Sequence, residues 1–143
     1  MAVHVLAVLA YKRGDCVSSA VLASSVNTNP VIVRRLLLVL QSAKLVETRR
    51  GPGSGSRLSR PPGRINLAEV YRAVELEEPF AFPRRQPNHA CPVGQGIRAA
   101  LEQVCERVWR SVQRDLERVT LASVLDEITA SHSDNDCDSH RKR

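Results

Sequence analysis

Apolar residues recur at helical spacing from the start of the chain. Val3, Leu6, Ala7 and Ala10 follow the i, i+3, i+4, i+7 rule, and Val5, Val8 and Leu9 widen the stripe until most of the segment is apolar. This predicts a first helix over 3–11, packed on nearly all sides, with His4 as a core or helix-end histidine rather than a ligand. Gly14-Asp15 breaks it. Ser18 or Ser19 then caps a second helix over about 19–25, with Val21, Leu22 and Val26 facing inward. Asn27-Thr28 makes a turn. Asn29 and Pro30 open a third helix with two start signals: a side-chain acceptor at the N-cap, and a proline at N1 where no amide hydrogen is needed. That helix runs to about Ala43, with Val33, Leu36, Leu37 and Leu40 buried and Asn29, Val31, Arg34 and Arg35 outward.

The pattern then changes. Residues 45–49 (LVETR) and 57–60 (RLSR) read as two short strands, and the glycine- and proline-rich RGPGSGS between them reads as a hairpin tip. A phosphate-cradling nucleotide loop does not fit, because no GK[ST] follows and no strand-to-helix change surrounds it. After the spacer Pro61-Pro62-Gly63, Asn66 caps a helix striped by Leu67, Val70, Tyr71 and Val74 and ending near Leu76. Residues 77–92 hold four of the eight prolines and form a loop. The longest helix follows, over about 93–119. Ile97, Leu101, Val104, Val108, Val112, Leu116 and Val119 recur at steps of three or four, with Cys105 and Trp109 beside them. At 1.5 Å per residue it is roughly 40 Å long, and one chain has little left to cover it. The same helix of a second subunit is the expected cover, with Ile97, Leu101, Val104, Val108, Trp109, Val112 and Leu116 at the interface. Thr120 caps a last helix carrying Leu121, Val124, Leu125 and Ile128. Residues 131–143, apolar only at Cys137, are expected to be a disordered tail.

Helix, turn, helix and glycine-tipped hairpin make a winged helix-turn-helix. The expected fold is mainly α with a small two-stranded β wing, joined to a long dimerisation helix. The divisions are 1–64 for DNA binding, 65–130 for dimerisation and sensing, and 131–143 for the tail.

Charge sharpens this reading. The net charge is +6, but residues 1–64 hold ten Lys/Arg against Asp15 and Glu47, while residues 65–143 hold eleven against thirteen acids. Only the first part is expected to meet a polyanion. Aromatics at 3% disfavour a stacking platform for single strands. No apolar run reaches the roughly 20 residues of a membrane span. The first helix resembles a signal segment in composition but lacks a basic leader, and Lys12-Arg13 stands where a small-residue cleavage site belongs. A cytoplasmic protein is expected, associated with the nucleoid when bound. Cys16, Cys91, Cys105 and Cys137 form no CxxC pair, so reduced thiols are the default. The histidines are scattered at 4, 89, 132 and 140, and no Ser/His/Asp set or paired carboxylates appear, so no enzyme and no metal site are expected.

The runs NTNPVIVRRLL, LVETRRGPGSGSRLSRPPGRINLAEVYRAVE, CPVG and VTLASVLDEI together resemble the Rrf-two family of bacterial transcription regulators, over about residues 3–130. That family includes the iron–sulfur-cluster regulator and the nitrite-sensitive repressor. The resemblance implies a homodimer, crossed through its long helix, binding palindromic promoter DNA, with repression the expected outcome. Several members hold a cluster with three cysteines in the loop between the dimer-forming helices. Here only Cys91 lies in that loop, so the chain looks like the cluster-free branch. A cluster shared across subunits by Cys91, Cys105 and a histidine is the alternative.

Asn29 and Arg34 are the base-edge candidates, since arginine can pair with guanine O6 and N7. Val31 can touch a thymine methyl, and Arg35 reaches phosphate. Ser18, Ser19 and Thr28 can cap helices, donate to phosphates, or both. By the resemblance, the arginine opening the wing enters the minor groove, and Arg50 holds that position. Gly53 lets the tip approach closely. Arg49 and Arg57 contact phosphate or are merely solvated. Cys91, beside His89 and near Arg84 and Arg85, is the candidate sensing thiol, since positive neighbours raise thiol reactivity; the rival reading is a buried loop anchor. A winged-helix adaptor for protein partners, without DNA binding, is the alternative from another class.

Overall fold

A computed structural model of the chain describes residues 1–12, 14–49, 51, 53–75, 80, 87–88 and 90–139, with residues 132–139 as backbone only. The element order is α1 (Ala2–Tyr11), α2 (Ser19–Val26), α3 (Pro30–Ser42), β1 (Val46–Arg49), β2 (Gly55–Leu58), a 3-10 turn (Pro62–Arg64), α4 (Leu67–Val74), α5 (Pro92–Arg118) and α6 (Leu121–Ser139). The mainly α architecture with a two-stranded antiparallel wing is as expected from the sequence.

The helix starts follow from side-chain acceptors. Ser18 Oγ accepts from the Val21 amide at 3.3 Å, and Asn29 Oδ1 accepts from the Val31 amide at 2.8 Å, ahead of Pro30 at N1. Asn66 and Glu69 form a reciprocal capping box at α4. Thr120 and Ser123 do the same at α6: the Ser123 amide donates to Thr120 Oγ1 and the Thr120 amide to Ser123 Oγ, both at 3.2 Å. Asn27, at φ 55, ends α2 in the left-handed region that asparagine tolerates, which aims the chain into α3.

One core gathers Val5, Leu6 and Leu9 of α1, Leu22 of α2, Val33, Leu37 and Leu40 of α3, Leu45, Val46, Ile65, Val70 of α4 and Leu121 of α6. Packing therefore runs across the expected boundary at 64/65. The two divisions differ in charge, but they share one interior. α1 is embedded between α2, α4, α6 and β2, which is why nearly its whole circumference is apolar. His4 is exposed at its edge, with Nε2 3.2 Å from Ser25 Oγ of α2.

Several expectations change. Val21 is half exposed, because α2 turns only Leu22 and Ala23 into the core. β2 begins at Gly55, not Arg57, and Ser59 and Arg60 fall outside it. The pairing is Val46 with Leu58, Glu47 with Arg57, Thr48 with Ser56 and Arg49 with Gly55. Gly55-Ser56 look like turn residues in sequence, but they pair with β1 and, at Ser56, with Val17. The backbone of 131–139 continues α6 where a disordered tail was expected. No glycine or proline occurs there to stop the intrahelical ladder.

α5 buries no residue. Ile97, Leu101, Val104 and Val108 are each 40–45% exposed, and Val93 and Val112 are exposed too. Trp109 and Leu116 differ from that line. Trp109 packs against Tyr71 of α4, with centroids 4.9 Å apart and the rings tilted by 53°, and Leu116 lines a small cleft with Ala68, Tyr71 and Arg72. Both expected interface positions thus face α4 of their own chain. The apolar repeat drifts around α5 because steps of four residues overshoot a 3.6-residue turn.

Candidate nucleic-acid interface

The exposed face of α3 is set by its buried one. Val33, Leu37 and Leu40 point into the core. At roughly 100° per residue, the line opposite them holds Val31, Arg35, Leu38 and Ser42, all exposed. Arg34 lies further round, toward the wing. It lines a cleft of ≈ 450 Å³ with Ser18 and Ser19 of the α2 start, Gln41 of α3, and Thr48, Arg49 and Ser54 of the wing. The structure thus separates two adjacent arginines: Arg35 on the outermost line of α3, Arg34 in the trough between helix start and hairpin.

The other expected residues fall into place around this trough. Ser18 Oγ is engaged in its cap, and so is Asn29 Oδ1, which leaves the Asn29 amide NH2 as the group free to donate outward. Thr28 is half-buried, and its amide donates to Ala23 O at 2.9 Å, closing the turn. Gly51 and Gly53 at the tip take φ of 91 and 74, values that favour glycine. Arg57 was expected to be a phosphate contact or solvated; it pairs instead with Glu47 directly across the wing. Its charge is therefore partly committed. Arg49 is exposed beside the cleft. Arg50 lies outside the described residues.

Sequence reasoning missed how the wing is anchored. Val17 and Ser56 exchange two backbone hydrogen bonds of 2.9 Å, an isolated antiparallel bridge that ties the segment before α2 to the wing. Ser56 is buried, with its Oγ 3.1 Å from Thr48 Oγ1. Gln41, Thr48 and Ser54 were likewise not picked out as cleft residues. The only sequence signal was the serine- and glycine-rich composition, which read as a turn.

Cys91 is exposed at the N-cap of α5, without a side-chain cap bond. Its amide donates to Asn88 O at 3.1 Å, and its carbonyl accepts from the Gln95 amide at 3.0 Å. The rival reading of a buried anchor is therefore not what the structure has. His89, Arg84 and Arg85 lie outside the described residues. Cys105 sits fourteen residues along α5, about 21 Å up the helix axis. Cluster sulfurs must converge on one set of irons, so Cys91 and Cys105 of one chain do not fit a shared cluster. Among the described residues no three His, Cys, Asp or Glu side chains converge, and no helix is long and apolar enough to cross a membrane.

Residues 1–127 match the Rrf2 family, described as iron-dependent transcriptional regulator. The Bacillus subtilis protein YwnA, provisionally named an HTH-type transcriptional regulator, is 37% identical over 128 residues, covering 90% of this chain and 94% of that one. The HTH-type transcriptional regulator IscR of Cereibacter sphaeroides is 38% identical over 68 residues, 47% of this chain and 44% of that protein. Among solved structures, T. potens IscR superimposes with a TM-score of 0.67 at 26% identity, covering 89% of this chain and 82% of that one. A basic winged helix-turn-helix, matched over residues 1–127 by a family of transcription regulators, leaves one conclusion: the chain is a DNA-binding transcription regulator and belongs to the Rrf2 family.

Proposed function

We propose that the protein acts as a homodimeric repressor on palindromic promoter DNA, in the cytoplasm of its bacterium, and catalyses no reaction. The observation that carries this is α5, a helix of 27 residues with none buried and a continuous exposed line of Ile97, Leu101, Val104 and Val108. A contiguous apolar face of that kind marks an interaction surface. A two-fold pair along it presents two α3 helices, and two-fold symmetric proteins read two-fold symmetric sites. Repression asks nothing further of the protein than occupancy of the promoter.

Within each half-site, Arg35 is assigned to base edges together with Val31, and the Asn29 amide donates beside them. Arg34, Ser18, Ser19 and Arg49 are assigned to a phosphate seated in the cleft. This reverses the sequence-based roles of the two arginines, since Arg35 stands opposite the core and Arg34 faces the wing. Selection from a randomised duplex pool at low ionic strength tests the whole reading. The expected product is an inverted repeat bound by two protein chains. A single unrepeated motif bound by one chain would end it.

The family is described as iron-dependent, but among the described residues no three His, Cys, Asp or Glu side chains of one chain converge. Protein purified without oxygen is expected to be colourless, to carry no stoichiometric iron, and to bind the selected duplex equally with and without a chelator. Iron near one atom per chain, with a visible absorption band, would reverse this.

A further inference from the structure

Gly55 opens β2 opposite Arg49, at the end of the hairpin nearest the tip. A Cβ built on it would lie 2.8 Å from both Val17 C and Val17 O, and 2.9 Å from Cys16 C. All three are backbone atoms, which cannot swing aside as a flexible side chain can. Ordinary contact at a Cβ begins near 3.4 Å, so any larger residue must push the strands apart by half an ångström or more. The Val17–Ser56 hydrogen bonds, both 2.9 Å, would then stretch to the edge of the bonding range.

The segment being pushed matters. Val17 immediately precedes Ser18, the cap of α2, and Ser18 and Ser19 form one wall of the cleft. Gly55 itself lines that cleft, with Arg49 and Ser54 on the wing side and Arg34 on the α3 side. The base of the wing is tied to α3 and α1, and toward its tip the distance between Arg49 and the start of α2 depends on Gly55, which lies without a side chain against the backbone of Cys16 and Val17. The other glycines of the tip meet nothing. A Cβ at Gly51 or Gly53 has no atom within 4 Å, and their role ends at the turn.

We propose that Gly55 is a positioning residue for DNA recognition: its missing side chain holds the wing at the spacing that lets Arg49 and the α2–α3 pair engage one duplex together. This rests on the DNA reading above. Recognition groups need to be held within about half an ångström of their working geometry, which is the size of displacement an alanine would impose.

The test is a double-mutant cycle of Gly55→Ala with Arg49→Ala. Binding is measured on a mixed-sequence duplex three helical turns long, with folding checked by circular dichroism and Trp109 fluorescence. Gly55→Ala is expected to stay folded, to lose about tenfold in affinity, and to flatten the salt dependence by about one unit per subunit, as loss of one phosphate contact in each does. In the Arg49→Ala background the same substitution is expected to cost under about twofold, because the group it misplaces is already gone. Full additivity, or unchanged binding by Gly55→Ala while the wild type binds, would overturn the proposal. Failure of the wild type to bind any duplex would bring down the DNA reading, and this proposal with it. Should Gly55→Ala not fold, Val17→Pro, which removes the amide hydrogen donated to Ser56 O, takes its place in the cycle with the same expected and opposing results.

Discussion

Glutamate in place of both Leu101 and Val104 is expected to yield a folded monomer that has lost nearly all affinity for promoter DNA. Neither side chain is buried within the chain, so the substitutions leave the core of α1, α3 and Leu121 untouched. Each contributes on the order of 1.5–3 kcal/mol when fully covered, and two charges per subunit placed in a dry seam cost several kcal/mol more. Sedimentation is expected to give one chain for the variant and two for the wild type. The effect on DNA is larger than the loss of contacts suggests. Two α3 helices on one frame bind as a linked pair, and linkage is worth roughly 10²–10⁴ in affinity. A fall of about a hundredfold or more is therefore expected on an inverted repeat, with little change on an isolated half-site. Trp109→Ala serves as the contrast. Trp109 packs on Tyr71 of its own chain, so its loss is expected to lower the unfolding midpoint while leaving assembly intact. A glutamate variant that still sediments as a pair would place the interface elsewhere.

The contrast between Leu101 and Trp109 also shows what a one-dimensional pattern can carry. Helix starts are local chemistry, and Asn29-Pro30 and Asn66 announce them within a few residues. Helical periodicity likewise marks α3 and α5. The pattern does not say what lies against each part of a face. Positions 97 and 116 belong to the same apolar repeat, yet one meets solvent and the other meets Ala68 and Tyr71. Nor does it report pairings between distant segments. Gly55-Ser56 read as loop because their composition is that of a loop, and their strand character comes from Arg49 and Thr48 across the hairpin and, at Ser56, from Val17, far away in sequence. Arg57 read as a free cation because its partner Glu47 lies across the hairpin, in register only once the strands pair. The charge of the first 64 residues points to the part of the chain that folds as the helix-turn-helix and wing. It could not rank the arginines within that part.

That ranking leads to the second large effect. Arg35→Ala is expected to relax sequence preference at one base pair in each half-site, whereas Arg34→Ala weakens binding evenly over all sequences. The reason is rotation about α3. Arg35 follows Val31 by four residues, on the line opposite Val33, Leu37 and Leu40, while Arg34 leans into the cleft beside Ser18 and Arg49. An arginine bidentate to guanine discriminates by about 1–3 kcal/mol against the wrong base. A two-fold site carries that contact twice, so the preferred duplex loses about 2–6 kcal/mol relative to its variants. Loss of a phosphate contact instead lowers the slope of log affinity against log salt by about one per subunit. Sequencing the duplexes selected by each variant separates the two outcomes, and a salt titration on a fixed duplex checks them independently. If Arg34→Ala, and not Arg35→Ala, broadens the selected motif, the side of α3 that faces the wing is the side that reads bases. The phosphate would then have to sit on the Val31–Arg35 line instead.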